Sequence, residues 1–413
     1  MKQITLASAA VCAISLLGAS AQEAQAAKRR APGPARPAFS SAQLVQGNNA
    51  FALDFYKTLG KGNLICSPYG VSEVFAMAQA GARGGTAKEI AAAFHFPEAQ
   101  ATLHRSYAML RTQVAAASRG DGLALKIADS VWPEKSRMPL PAYVRTLKKY
   151  YSASVTPLDY AKSEEARSTI NSWAENNTES RIKDLLPPDA VNAATKLVLV
   201  NAVYFKGLWE NQFKADATMD LPFHAPDGDK TAPLMYQKNT FSFAEDENAH
   251  VLELPYKGGA VSMLVALPQP EKTLEQVEAS LCSNRLDAWK EMLQKKEVQV
   301  WLPKFKAEAF YDLKGALESL GVKSAFDPAK ADFSAIDGKG ELYVTKALQK
   351  AFVEVNEEGT EAAAATAVVF GKLAMAAPPK AAEFRADRPF LYLLRHNATG
   401  AILFIGRVED PTK

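Results

Sequence analysis

The sequence predicts an α+β protein, and four observations carry that reading. Helical periodicity recurs through the first part of the chain, as in Leu44, Phe51, Phe55 and Leu59. Lys196 to Trp209 is a near-continuous apolar run, the pattern of a strand buried on both faces in the middle of a sheet. From Phe213 to Pro268 short β-type runs alternate with Pro and Gly turns. Two apolar runs near the end, Phe390–Leu394 and Ala401–Val408, flank His396-Asn397-Ala398-Thr399-Gly400 as a hairpin. The 413 residues are 48% hydrophobic and 23% charged, enough for a large core, and a net charge of +3 favours neither nucleic acid nor a membrane surface as partner.

Residues 1–26 are expected to be a signal peptide. Lys2 supplies the positive end, Ile4 to Leu17 is mostly apolar, and small residues offer cleavage after Ala21 or Ala26. The apolar run falls short of the roughly 18 residues of a membrane anchor, so the protein is expected to be secreted (extracellular, or periplasmic in a bacterium). Residues 27–40 carry Lys28-Arg29-Arg30, Pro32, Pro34 and Pro37 and are expected to form a disordered basic tether before a folded domain over 41–413.

Along that domain, Leu44–Leu59 is expected to be helical. Ser67 before Pro68 reads as a capped helix start, hydroxyl then proline. Thr86-Ala87-Lys88-Glu89 reads as a capping box for the helix after it. Helices are expected over Ala99–Ala117, Pro141–Tyr151 and Ser163 to about Asn177, with a strand at Leu123–Trp132. Next come strands at His250–Tyr256 and Ala260–Leu267, one helix over Thr273–Gln294, and a strand at Glu297–Phe305. A short helix at Leu313–Leu320 stops at Gly321. Asn201 interrupts the apolar run at 196–209. A buried amide must find partners, so it is expected to tie neighbouring strands together.

No zinc spacing, phosphate loop, dinucleotide fingerprint or nucleophile elbow occurs, and the five histidines are scattered, so neither a metal, a cofactor nor an enzyme activity is expected. Cys66 sits in an apolar run and reads as a buried small hydrophobe, and its pairing with Cys282 is left open.

The most informative stretch follows a strand at Ala351–Asn356. It runs Glu357, Glu358, Gly359, Thr360, Glu361, Ala362, Ala363, Ala364, Ala365, Thr366, Ala367, Val368, Val369, Phe370, Gly371, Lys372, Leu373, Ala374. Propensity alone would make Thr360–Val369 a short helix. At period two, however, Thr360, Ala362, Ala364, Thr366, Val368 and Phe370 share one uncharged face whose first four members are small. Such a segment can slide between strands already packed over a core, so it reads as a strand held out as a loop.

Glu357 to Ala365 resembles the hinge of the reactive-centre loop of serpins. Asn201 to Trp209, ending at a tryptophan where the loop enters the sheet, Asn63 to Pro68, and Arg388-Pro389-Phe390 onward resemble further landmarks in family order. The resemblance covers about Leu44 to Pro411. It implies three mainly antiparallel sheets, eight or nine helices and an exposed loop at about 357–383. It also implies a monomeric suicide-substrate inhibitor whose loop inserts into the main sheet after attack by a protease. Leu373 lies fourteen residues after Gly359, the family spacing for the residue donating the scissile carbonyl, so Leu373–Ala374 is the expected reactive bond. Its apolar side chain suits a chymotrypsin-like or elastase-like serine protease, with Lys372 and Met375 as alternative positions. Inhibition of papain-like cysteine proteases, and a non-inhibitory carrier role, are the competing functions. The family's sheet-opening polar cluster corresponds here to Ser67, Asn201 and Gln349. Two departures stand out: Gly70 where many members carry a second serine, and Gln349 where histidine is common.

Overall fold

The computed structural model describes residues 41–119, 122–360 and 381–413. The expected signal peptide and tether lie outside them. The first half contains α1 (Ser41–Lys57), β1 (Leu64–Cys66), α2 (Pro68–Gly81), α3 (Gly84–Ala93), α4 (Gln100–Ala116), β2 (Leu123–Pro133), α5 (Pro141–Tyr151), β3 (Ser154–Val155) and α6 (Ser163–Asn177). Strands then dominate: β4 (Leu197–Leu208), β5 (Met219–Ala225), β6 (Gly228–Glu245), β7 (Ala249–Pro255) and β8 (Val261–Pro268). After α7 (Leu274–Ser280) and α8 (Ser283–Met292) come β9 (Gln294–Pro303), β10 (Phe305–Asp312), α9 (Lys314–Ser319) and α10 (Ser334–Asp337). The chain ends through β11 (Lys346–Val355), β12 (Gly359–Thr360), β13 (Ala382–Arg385), β14 (Phe390–His396) and β15 (Ile402–Val408).

One sheet runs β1-β15-β14-β8-β7-β6-β9-β13 with β5 on β6, and the other runs β10-β11-β12-β4-β2-β3. Three sheets were expected. The 18-residue β6 explains why two hydrogen-bonded systems appear, because it pairs with β5, β9 and β7 and so joins two of the ladders. Ten α-helices occur among the described residues, the last two being six and four residues long.

Two local expectations are corrected. Helix α3 starts at Gly84, two residues before Thr86, and no side chain caps it. The Thr86 hydroxyl instead accepts from the Asp332 amide, and the Glu89 carboxylate takes the Lys323 and Ser324 amides and the Ser324 hydroxyl. Both members of the presumed capping box are committed to another segment. The single helix expected over 273–294 is two, α7 and α8. Leu281 and Cys282 are extended between them, and Leu281 is buried, so the core holds a break that local propensity would have closed. The cap at Thr273 is a true capping box with Gln276. Cys66 and Cys282 are both free, the first buried and the second exposed.

The main core lies between the two sheets and around α2, including Phe51, Phe75, Phe94, Phe205 and Phe404. A second cluster lies on the other face of the six-stranded sheet, where Ile170 and Ala174 of α6 meet Trp132, Val198, Val200, Ala202 and Leu348. Helix α6 therefore lies on that face of the sheet, against β2.

Candidate functional site

Everything turns on the gap between β4 and β11. From Lys346 opposite Val198 to Phe352 opposite Tyr204 these strands pair directly and in parallel. Beyond that they part, and β12 fills the space: Val355 pairs with Thr360 on one side, and Leu208 and Gly207 pair with Gly359 and Thr360 on the other, both antiparallel. Gly359 and Thr360, near the start of the loop, are thus already a central strand.

Sequence explains how the chain turns there. The Asn356 side-chain oxygen accepts from the amides of Glu358 and Gly359, an Asx-type turn that reverses β11 into β12. Gly359 has φ +152°, and a Cβ on it would lie 2.0 Å from the Gly207 carbonyl oxygen, so no other residue fits. Glu357 pairs with Lys304 at 3.0 Å and accepts from the Thr218 hydroxyl at 2.8 Å. Burial opposes its ionisation, but the backbone bond, Lys304 and Thr218 outweigh this and hold its carboxyl below the usual glutamate value. The Glu358 carbonyl accepts from the Trp209 amide and the Gln212 side chain. Thr360 is fully buried, its hydroxyl 2.8 Å from that of Tyr256. Trp209 stacks on Tyr256 at 4.5 Å and donates its indole N–H to the Asn356 carbonyl at 3.0 Å. Hinge residues Glu361 to Ala365 and the bond Leu373–Ala374 lie outside the described residues.

The structure brings Ser67, Asn201 and Gln349 together, all fully buried. Gln349 faces Asn201 across the parallel ladder, and Asp129 faces Asn201 across the β2–β4 ladder, so three strands present one polar row. Gln349 donates to the Asn201 oxygen at 2.6 Å and to the Ser67 carbonyl at 2.8 Å, and accepts from the Ser67 amide at 3.0 Å. An imidazole has two ring nitrogens and cannot match three bonds, so glutamine suits this geometry. The Ser67 hydroxyl donates to the Leu403 carbonyl and accepts from the Gly70 amide as the α2 cap. The Asn201 amide nitrogen donates to Asp129 at 2.7 Å. A Cβ at Gly70 would lie 2.4 Å from both heteroatoms of that amide, so the bare backbone at 70 is what lets Asn201 lie where it does. The departure at 70 thus belongs to the placement of Asn201.

Asp129, Asn356 and Tyr256 were not singled out from the sequence. An aspartate in an otherwise apolar strand run (Leu125, Ile127, Val131) is the one signal that would have found Asp129.

This fold and this half-entered strand define a class, proteins whose main sheet takes in a segment of their own chain. The chain belongs to the serpin family: the family model "Serpin (serine protease inhibitor)" matches residues 46–411. It is 41% identical to the leukocyte elastase inhibitor A of Mus musculus and to the human leukocyte elastase inhibitor, in each case over 89% of this chain and 100% of the relative. A solved structure of native protease nexin-1 with heparin superposes with a TM-score of 0.81 at 31% identity, covering 90% of this chain and all of that one. The chain is accordingly a serine protease inhibitor of the serpin type, not an enzyme.

Proposed function

We propose that the protein traps a chymotrypsin-like or elastase-like serine protease as a suicide substrate, with Leu373–Ala374 as the reactive bond. The protease's serine oxygen attacks the Leu373 carbonyl carbon, the bond to the Ala374 nitrogen breaks, and that nitrogen leaves with the proton carried by the protease histidine. The loop then continues the strand that β12 begins, and the acyl-linked protease is carried away before water completes hydrolysis. The observation that carries this reading is the seating of Gly359 and Thr360 between β11 and β4. The names of the mouse and human relatives support an elastase-like target.

The reading extends to the compartment. Residues 1–26 direct export, the mature inhibitor works as a monomer outside the cytoplasm, and neither nucleic acid nor membrane takes part. Lys2, the apolar run Ile4–Leu17 and the small residues before Ala26 support this.

The test is incubation with a protease panel. A complex with an elastase-like or chymotrypsin-like enzyme that survives boiling in SDS is expected, with the clip after Leu373 by mass spectrometry. Leu373→Arg should move inhibition to trypsin-like enzymes while complexes still form. An unchanged target with the clip after Lys372 or Met375 would overturn the assignment of the bond. A clipped chain with every protease and no complex would overturn trapping.

A further inference from the structure

Beside β13, the first described strand after the reactive bond, one sheet face carries hydrogen-bonding groups that the fold leaves unused. Tyr236, Trp301 and Arg385 stand opposite one another on β6, β9 and β13, one row across three strands. Their sequence neighbours Met235, Val300, Leu302, Phe384 and Ala386 are buried, so the row lies on the other, outer face. All three side chains are partly exposed. The Tyr236 ring is 4.9 Å from the Trp301 ring, and the Arg385 guanidinium is 5.6 Å from the same indole. The indole N–H groups of Trp132, Trp209 and Trp289 each reach an acceptor, whereas that of Trp301 meets none among the described residues. Arg388 engages all three of its nitrogens. Arg385 engages only Nε, with Asp387 at 3.0 Å, and its two terminal nitrogens meet no acceptor among the described residues.

We propose that this row is a docking surface for the target protease, met before the reactive bond is cut, that speeds attack on the loop and takes no part in trapping. The partner it fits is a protease surface beside the active-site cleft that presents hydrogen-bond acceptors, backbone carbonyls or a carboxylate, to the indole and the guanidinium. The proposal rests on the protease-trapping reading given above.

Chain connectivity says what comes to lie over this face. Ala382, the first residue of β13, follows Leu373 by nine residues, which span about 30 Å at full extension. Ala382 pairs with Val298, and Trp301 is three residues further along that ladder, about 10 Å away. A globular domain of about 200 residues is on the order of 40 Å across. A body wider than its tether contacts the surface to which the tether is fixed, and β13 is that surface. Tryptophan, tyrosine and arginine are also the side chains that dominate binding energy where proteins meet. The timing follows from the polarity of the chain. β13 lies on the Ala374 side of the reactive bond, the side that leaves as the amine. Once that bond breaks, the acyl-linked protease departs with Leu373 while β13 stays on β9, so contacts with the row last only until acylation. The row therefore acts on the rate of attack and not on the partition between trapping and release.

Two variants test this with whichever elastase-like or chymotrypsin-like enzyme attacks the wild type fastest. Trp301→Phe keeps an aromatic ring and removes the donor. Arg385→Gln removes the charge on an edge strand, which keeps the test open if the first variant fails to fold. The second-order rate at which intact chain disappears is measured beside the number of inhibitor molecules consumed per protease trapped. The rate should fall about tenfold in each variant, with that number and the melting temperature as in the wild type. An unchanged rate in Arg385→Gln, or in a folded Trp301→Phe, overturns the docking surface. A slower rate accompanied by more inhibitor consumed per protease, or by a lower melting temperature, overturns it too, because the row would then act through insertion or the fold. Disappearance of intact chain counts clipped and trapped molecules alike. A wild type that is clipped without complex therefore overturns trapping alone, and its clipping rate still reads the row. A wild type that no protease cuts overturns both.

Discussion

At Gly207 the gap between β4 and β11 is occupied by a strand, and six residues back along β4, at Asn201, it is closed by side chains. The first region is held by backbone ladders, an Asx turn, a glycine that admits no side chain and an aromatic stack. The second is held by a parallel ladder and one amide, Gln349, which binds β4 and the start of α2 at once. Antiparallel pairing is slightly stronger per residue than parallel pairing. Replacing the β4–β11 ladder by two antiparallel ones therefore has a local driving force. The difference teaches where the resistance lies: strand addition has begun at Thr360 and, further along the gap, meets the polar row between β4 and β11.

The largest effect should come from the occupied end. Thr360→Arg would place a charge in the fully buried site beside the Tyr256 hydroxyl, costing several kcal/mol after relaxation. The variant should still be cut at Leu373, which is distant in sequence, but release the protease. Gel analysis should show clipped chain in place of covalent complex. Undiminished complex formation would mean that β12 is not the start of insertion.

The closed end should respond differently. Gln349→Ala leaves the Asn201 oxygen and the Ser67 amide without their partner, at about 1–3 kcal/mol each in a buried site. In the loop-cleaved form an inserted strand would already separate Gln349 from Asn201, so the substitution should lower the melting temperature of the intact protein more than that of the cleaved one. Equal losses in both forms would show that the row does not act as a latch.

Much of this comparison was legible in the sequence, for reasons that differ by residue. Asn201 announced itself because an amide in an apolar run must be satisfied, and Ser67-Pro68 because a hydroxyl and a proline have one common use at a helix start. Of the small, uncharged face beginning at Thr360, the first residue lies in β12 and the others lie outside the described residues. Thr86 and Glu89 misled because their bonds go to residues 323–332, far away in sequence, and no local pattern encodes that. The break at Leu281 and Cys282 was hidden for the same reason, since burial of Leu281 outweighs helix propensity. Asp129 was passed over although it alternates with Leu125, Ile127 and Val131 on the apolar face of β2, and both faces of that strand are covered.

The smallest effect sharpens the comparison most. Trp209→Phe keeps an aromatic ring over Tyr256 and removes only the indole N–H that reaches the Asn356 carbonyl. That carbonyl also accepts from the Gly359 amide at 3.2 Å, so it is not left unpaired. The loss should therefore be that of one ordinary hydrogen bond, about 1 kcal/mol. It falls on the turn that seats β12 and touches nothing in the row around Asn201. Hydrogen exchange of the Thr360 amide should quicken by roughly fivefold, the factor about 1 kcal/mol commands. Amides of β4 and β11 between Val198 and Tyr204 and between Lys346 and Phe352 should keep their protection. If both sets quicken together, the seated strand and the polar row open as one cooperative unit, and the division of the gap into an occupied end and a latched end does not hold.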